Sequence, residues 1–177
     1  MMEWRELLYS FGLIANVLFA LRFTLQWIGS ELKQKSDLPA YFWRISLSAN
    51  SIMYIHTLIQ LQLNVCLIQA VNAILSWRNL DFMKPKGEQA QFKTVVILLL
   101  GSVAATFLLF ILQGYYLLDG NYIFIRGFGS KDEALGPAWH LFGTFGFTLF
   151  SSRFWLQWWQ SEQAQESTVN PSFWWRP

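Results

Sequence analysis

Charged residues are scarce in this sequence of 177 residues, and cysteine and histidine are scarcer still. Asp, Glu, Lys and Arg make up 14% of the chain, against about 25% in a typical soluble domain. One cysteine, Cys66, allows no internal disulfide, and the two histidines do not stand at the spacing of a metal site. The net charge of +2 is too small to hold a nucleic-acid backbone. These absences exclude a disulfide scaffold, a metal centre and a nucleic-acid-binding domain.

Apolar residues, by contrast, make up 54% of the chain and aromatic residues 18%, and they form long uncharged stretches. Residues 94–118 provide 25 residues without a charge, and about 20 suffice to span a bilayer. Residues 45–77 are also uncharged, but one helix of that length would far exceed the membrane core, so a polar turn at Gln60 and Gln62 is expected. We therefore expect an all-α integral membrane protein with about five transmembrane helices, at 7–28, 41–60, 63–80, 94–118 and 138–159.

Lysine and arginine are distributed unequally between the two sides of these spans. Arg22, Arg44 and Arg153 lie within predicted helices or at their ends; of the remaining ten, seven fall on the side of loops 29–40 and 78–93, and three fall on the side of the N-terminus. The positive-inside rule places the side with more basic residues in the cytoplasm. The sequence thus predicts a multi-pass protein with a periplasmic N-terminus and with loops 29–40 and 78–93 cytoplasmic.

The chain contains an internal repeat. Residues 11–36 align without gaps to residues 142–167, and 13 of the 26 positions are identical, including Arg, Gln, Trp, Ser and Glu. Shared membrane composition would explain matched Leu and Phe, but not these polar identities. We predict a three-helix module at 1–80, a linker with the fourth helix (about 94–118) and an outer loop at 81–136, and the start of a second module at 137–177. This is a SWEET-like 3+1+3 parallel repeat.

The second module is incomplete in this sequence. After Trp175 and Arg176 it ends at Pro177, where the first module continues into its second helix. Three explanations stay open: a fragment of a longer protein, a truncated gene, or a complete five-helix design.

The repeated pattern resembles a known family. Arg-Phe-x-Leu-Gln-Trp-x-x-Ser-Glu occurs at 22–31 and again at 153–162, and Arg-Asn-Leu at 78–80 closes the first module. This resembles the lipid-A-disaccharide synthase N-terminal domain family, a three-helix membrane module distantly similar to half-SWEET and PQ-loop proteins. The resemblance implies the bacterial inner membrane and lipid A biosynthesis, a branch of lipid metabolism. It also implies a glycosyltransferase, as a fusion or a separate partner.

Whether the chain is an enzyme stays open on the resemblance alone. It contains no Gly-rich phosphate loop and no nucleotide-sugar site, so we expect neither a catalytic residue nor a cofactor, and no catalysis by this chain alone.

Two repeat-equivalent arginines, Arg22 and Arg153, are candidates for phosphate binding, because a guanidinium holds phosphate through two hydrogen bonds. The alternative is an anchor that extends to the headgroups of any anionic lipid. The Ser-Glu pairs that follow the two arginines, Ser30-Glu31 and Ser161-Glu162, are expected to be solvated signals at the helix ends. The full set of lipid- or phosphate-binding candidates is Arg22, Gln26, Trp27, Arg153, Gln157 and Trp158.

Polar side chains also share faces of the second and third predicted helices, at helical spacing. Facing lipid would be costly, so we expect them to face one another or a cavity. Interhelical hydrogen bonding is the alternative to a solute or headgroup pocket. These polar cleft candidates are Ser46, Asn50, Thr57, Gln69, Asn72 and Ser76.

The sequence therefore predicts a membrane module of lipid A biosynthesis that anchors or presents a phosphorylated glycolipid at the cytoplasmic face of the inner membrane. Its expected partners are membrane lipids, a lipid A precursor and a glycosyltransferase, and homo-oligomerisation stays open. The alternative function is a SWEET-like transporter of a small solute, which would need dimerisation or completion. A passive scaffold is a third interpretation.

Overall fold

The computed structural model describes Arg5 and residues 8–33, 39–120, 122–125 and 137–167. Within these ranges the chain is all-helical, which confirms the all-α part of the prediction, and a lone β-bridge joins Gln62 to Ile125. The five helices are α1 (Tyr9–Lys33), α2 (Ala40–Ile59), α3 (Leu63–Asp81), α4 (Phe92–Leu117) and α5 (Pro137–Ala164).

The polar turn predicted within the long uncharged stretch is confirmed between α2 and α3. The backbone N–H of Gln60 still donates to His56 O, and the N–H of Gln62 donates to Thr57 O. Leu61, between them, adopts a left-handed φ of 57°, which reverses the chain within three residues. Its side chain is nevertheless buried, because it packs with Cys66 and Phe110.

The helix α3 lies at the centre of the bundle. It forms an antiparallel hairpin with α2, whose other side packs on α1, and it also contacts α4 and α5. Asn64 at the start of α3 reaches Thr144 near the start of α5, and Asn79 near the end of α3 reaches Gln157. These contacts show that α3 and α5 run in the same direction.

Among the described residues, two helices are long and apolar enough to cross a membrane by length and composition, over Tyr9–Gly29 and Phe92–Leu117. Large apolar side chains are exposed along both, among them Leu13 on α1 and Leu100 and Leu108 on α4. The helices α2, α3 and α5 carry more polar residues, which lowers their hydropathy, and many of these polar side chains are buried.

The apolar core lies at the two ends of the bundle. Phe42 and Trp43 pack together with Leu80 at one end of the α2–α3 hairpin. Leu61, Cys66 and Phe110 form a second apolar cluster at the other end. Polar side chains occupy the interior between these clusters, and this polar interior contains the candidate site.

Candidate functional site

A cavity of about 280 Å³ lies between α1, α2, α3 and α5. Its wall combines phenylalanine rings from α1 and α5 with amide side chains from α1, α2 and α3. The phenylalanine faces make most of the wall apolar, and the amides and one arginine supply a few convergent polar groups, a composition typical of small-molecule sites. The lining residues are Asn16, Phe19, Arg22, Phe23, Asn50, Met53, Val65, Gln69, Asn72, Phe147, Phe150, Ser151 and Phe154.

Arg22 is the charged residue of this wall, and only 4% of its surface is exposed. Its Nη1 donates to Ser46 Oγ at 2.9 Å, and that hydroxyl in turn donates to Phe42 O at 2.7 Å. In the described ranges the ion pairs join Arg78 and Lys84 to Asp81 and Glu162, so none of them neutralises Arg22. Its Nε is buried with no partner there. Arg22 is therefore a buried cation without a carboxylate counterion in the described chain.

Aromatic rings surround the guanidinium of Arg22. Its Cζ lies within 5.5 Å of the centroids of four phenylalanine rings on α1, α2 and α5. Cation–π contacts of this kind contribute about 0.5–2 kcal/mol, whereas burying an ion costs several kcal/mol even after relaxation. An anion that entered the cavity would compensate the remainder. The rings are those of Phe19, Phe23, Phe42 and Phe154.

Some polar atoms of the wall have hydrogen-bond partners and others have none among the described residues. Asn50 Nδ2 donates to Ser76 Oγ at 3.3 Å, and Asn72 Oδ1 accepts from Trp155 Nε1 at 3.2 Å. Gln69 Oε1 and Ser151 Oγ are buried without a partner among the described residues. A buried unsatisfied polar atom costs about 1–3 kcal/mol, so these two atoms mark places where a ligand hydroxyl or amide would be stabilised.

Arg153, the repeat equivalent of Arg22, lies behind the wall on α5 and is half-buried. Its Cζ is 3.9 Å from the centroid of Phe150 and 5.0 Å from that of Phe154, and it reaches Phe23 on α1 at 5.7 Å. All three rings line the cavity. The two repeat-equivalent arginines therefore approach the same part of the wall from α1 and α5.

The structure brings the arginine and most of the polar cleft candidates into one place. Arg22 and Ser46 bond to each other, Asn50, Gln69 and Asn72 line the cavity, and Ser76 bonds to Asn50 beside it. Thr57 is the exception, because its hydroxyl donates to the backbone oxygens of Met53 and Tyr54 in its own helix. The polar face of α2 therefore contributes to the cavity region at Ser46 and Asn50 but not at Thr57.

The glutamine and tryptophan candidates do not line the cavity. Gln26 is buried, and Trp27 is 68% exposed on α1. Gln157 exchanges amide hydrogen bonds with Asn79 and borders a small adjoining space of about 10 Å³. Trp158 stacks on Phe92 and donates to Glu162. Gln157 and Trp158 therefore fasten α5 to its neighbours.

The expectation that the Ser-Glu pair of the second module is solvated is wrong. Ser161 and Glu162 are both buried, and Glu162 makes a bidentate ion pair with Arg78, at 2.7 and 2.9 Å. Arg78 also pairs with Asp81 at 2.7 Å and stacks on Phe82 at 3.9 Å. The physical reason is that α5 packs in parallel on α3, which covers the ends of both helices.

Asp81 connects this ion-pair cluster to the loop after α3. It accepts hydrogen bonds from Arg78, from Lys84 Nζ at 2.8 Å and from the backbone N–H of Ala90 at 2.8 Å. Burial by itself would raise the pKa of the Asp81 carboxyl, but these hydrogen bonds outweigh it and hold the pKa below its ordinary value. The carboxylate is therefore ionised at neutral pH and holds the loop closed against α3.

Sequence reasoning missed two parts of this arrangement. Asn16 and Ser151 line the cavity without having been named, and the pairing of Arg78 with Glu162 was not foreseen. The available signal for the ion pair was that Arg78 falls within the predicted span 63–80 and Glu162 lies three residues beyond the span 138–159, where an unpaired charge is expensive. In the described part of the chain, no cluster of three His, Cys, Asp or Glu side chains could hold a metal ion.

Comparisons with known proteins identify relatives of this chain. The family model described as the Lipid A Biosynthesis N-terminal domain matches residues 11–81 and 142–176. A lipid-A-disaccharide synthase of Chlamydia abortus is 34% identical over 172 residues, and those of Chlamydia caviae and Chlamydia felis are each 32% identical over 175 and 172 residues. These matches do not favour the transporter alternative.

Each of these three alignments covers 96% of the chain but 27% of the relative. The chain therefore spans about a quarter of the length of these synthases. No solved structure matches the chain.

Proposed function

The chain belongs to the Lipid A Biosynthesis N-terminal domain family, and from this membership we propose that it is a membrane module that binds and presents a phosphorylated glycolipid for lipid A biosynthesis. All five helices cross the inner membrane in this proposal, with 1–80 and 137–177 as two related modules in a SWEET-like order and 81–136 as the linker. Loops 29–40 and 78–93 face the cytoplasm. The exposed apolar surfaces of α1 and α4 and the basic residues of the loops support this placement.

The observation that carries the proposal is the position of Arg22 at the cavity. A buried guanidinium with one hydroxyl partner and no carboxylate counterion in the described chain has hydrogen-bonding capacity for an anion. The nearby unpartnered atoms of Gln69 and Ser151 suit hydroxyl or amide groups. A phosphate together with sugar hydroxyls or acyl amides is the combination that a phosphorylated glycolipid provides.

The chain itself contributes binding in this proposal, and the chemical step belongs to a glycosyltransferase. The Chlamydia relatives are named lipid-A-disaccharide synthases and are almost four times as long as the matched region. We propose that such an activity, on the same chain or on a partner, takes its lipid from this module. Loop 78–93, tied to α3 by Asp81, is the cytoplasmic surface next to the cavity helices.

A binding measurement on the full chain tests the role of Arg22. The protein is reconstituted in phosphatidylcholine nanodiscs and titrated with a monophosphorylated diacyl glycolipid and with its dephosphorylated counterpart. Arg22→Gln should weaken binding of the phosphorylated lipid roughly tenfold or more, because a hydrogen bond to a charged group contributes about 1.5–3 kcal/mol. The dephosphorylated lipid should bind equally to both proteins.

Arg44→Gln provides the matched control, since Arg44 is exposed on α2. It should leave binding of the phosphorylated lipid unchanged. Equal losses in Arg22→Gln and Arg44→Gln would reduce Arg22 to a general membrane anchor and contradict the proposed site.

A further inference from the structure

We propose that the small space beside the cavity binds one halide ion, chloride in the cell, as the counterion of Arg22. The ion binds in a different space from the proposed lipid, and its binding is measured without lipid, so the site is independent of the proposed function. The size of the space, the hydrogen-bond donors around it and the charge of Arg22 all favour such an ion.

The size of the space restricts its occupant to a single small particle. The space measures about 10 Å³ and adjoins the cavity toward the start of α2 and the end of α3. Arg22 and Asn72 line both spaces, whereas Trp43 and Ser76 line only the smaller one. A volume of about 10–15 Å³ accommodates one water-sized sphere. The space therefore admits a water molecule or a halide ion, which is only slightly larger, and it excludes a phosphate group with its four oxygens.

Hydrogen-bond donors are in surplus around this space. Two lining residues, Arg22 and Trp43, each have a buried nitrogen without a partner among the described residues, and they are 4% and 2% exposed. Both nitrogens, Nε of Arg22 and Nε1 of Trp43, can only donate. Ser76 Oγ and Asn72 Oδ1 each already accept a hydrogen bond from another side chain. A surplus of donors favours an anion over a water molecule, which must donate as well as accept.

The charge of Arg22 also favours an ion. Within the described ranges the ion pairs belong to Arg78 and Lys84, so no carboxylate neutralises Arg22. A water molecule would accept a hydrogen bond from the guanidinium but would leave its charge uncompensated. A halide ion does both, and the attraction between opposite charges is strong where water is excluded.

Thermal unfolding of the full chain tests halide binding. The protein is purified in a neutral detergent without added lipid and is heated in equal concentrations of sodium gluconate, sodium chloride or sodium bromide. We expect the unfolding midpoint to be about 3–6 °C higher in chloride than in gluconate, because a bound ligand stabilises the native state. Bromide should act like chloride, whereas gluconate is too large for the space.

Three variants relate the effect to the residues of the space. Arg22→Gln should abolish the difference between chloride and gluconate, because it removes the charge. Trp43→Phe keeps an aromatic ring but removes the indole N–H, and it should reduce the difference to about half or less, since a hydrogen bond to an ion is lost. Trp27→Phe is the matched control, because Trp27 is 68% exposed on α1, and it should retain the full difference.

Quenching of tryptophan fluorescence by bromide reports where the ion binds. A bromide ion held beside Trp43 should quench that indole with a saturable dependence on concentration, whereas collisions with exposed tryptophans quench in proportion to concentration. Trp43→Phe should remove the saturable component, and Trp27→Phe should leave it in place. This measurement is made on the folded protein, so it also applies to a variant of lowered stability.

The possible outcomes separate a halide from a water molecule. Equal midpoints in the three salts, with no saturable quenching, would show that a water molecule fills the space and would overturn the proposal. A halide effect that persists undiminished in Trp43→Phe would place the ion elsewhere and overturn it as well. Both outcomes leave the proposed function intact, because that function depends on the lipid titrations of Arg22→Gln.

Discussion

At the residue scale, a charge within an apolar segment can be explained by its surroundings. Arg22 interrupts an otherwise uncharged segment, and the sequence alone allows it either to extend to the headgroups or to point inwards. In the structure it points inwards, to Ser46 and to four aromatic rings. The choice depends on neighbours supplied by other helices, which a single segment does not reveal.

Gly12 on α1 allows a close contact between this helix and His56 on α2. A Cβ placed on Gly12 would lie 2.7 Å from His56 Nε2 and less than 3 Å from two further ring atoms. The ring of Tyr9 lies against the same imidazole, at 5.9 Å between centroids. The lack of a side chain at position 12 therefore lets α1 and α2 meet.

We expect Gly12→Ala to lower the free energy of unfolding by about 1–3 kcal/mol, because the imidazole must shift in a packed interface. Thermal unfolding in detergent, followed by tryptophan fluorescence, measures the change. At Gly143, the repeat equivalent, an added methyl group would meet no atom of the described residues within 4 Å, so Gly143→Ala should be neutral or slightly stabilising. A similar loss in both variants would show a general requirement for glycine instead of the contact with His56.

At the element scale, helices extend beyond the apolar runs from which they were predicted. The predicted spans 7–28 and 138–159 correspond to helices Tyr9–Lys33 and Pro137–Ala164, each of which continues about five residues further. Apolar residues mark where a membrane would be, whereas backbone hydrogen bonding continues through the polar residues that follow. Helix number and order were therefore predictable, and the helix ends were not.

The pairing of Arg78 with Glu162 attaches the end of α5 to the end of α3. Removal of one partner from a buried ion pair is strongly destabilising, whereas replacement of both by apolar residues is often nearly neutral. Arg78→Met should therefore lower the unfolding midpoint most, Glu162→Met less because Asp81 still pairs with Arg78, and the double variant should recover part of the loss.

Lys84→Met is the control for this series. Lys84 pairs with Asp81, but its side chain is 49% exposed, and exposed pairs contribute about 0–1 kcal/mol. Thermal unfolding in detergent compares all four variants. Additive losses for Arg78→Met and Glu162→Met would show that the two side chains act independently and that the pair does not hold α5.

At the scale of the whole molecule, the proposed topology makes a prediction that needs no ligand. Tyr122 and Lys86 are both exposed, and the proposal places them on opposite sides of the inner membrane. In intact cells with a permeabilised outer membrane, a membrane-impermeant maleimide should label Tyr122→Cys, and it should label Lys86→Cys only after lysis. The parent chain is the blank, because its single cysteine, Cys66, is buried.

Labelling of Lys86→Cys in intact cells, with Tyr122→Cys protected, would invert the orientation and place the loop held by Asp81 in the periplasm. If both Lys86→Cys and Tyr122→Cys were labelled in intact cells, the two positions would lie on the same side of the membrane, and α4 would not cross it. Either result would remove the proposed proximity of the module to a cytoplasmic glycosyltransferase.

The sequence by itself determined the properties that depend on neighbouring positions: five helices, the turn after Gln60, the repeat and the family pattern. Uncharged length, spacing and identity are read within one segment and need no partner. Tertiary structure alone decided which polar groups meet. It bonded Arg22 to Ser46, placed Arg22 in one cavity with amides of α2 and α3, and buried Glu162 against Arg78, 84 residues earlier. Those contacts depend on how helices pack, and packing is set by the shapes of side chains from distant parts of the chain.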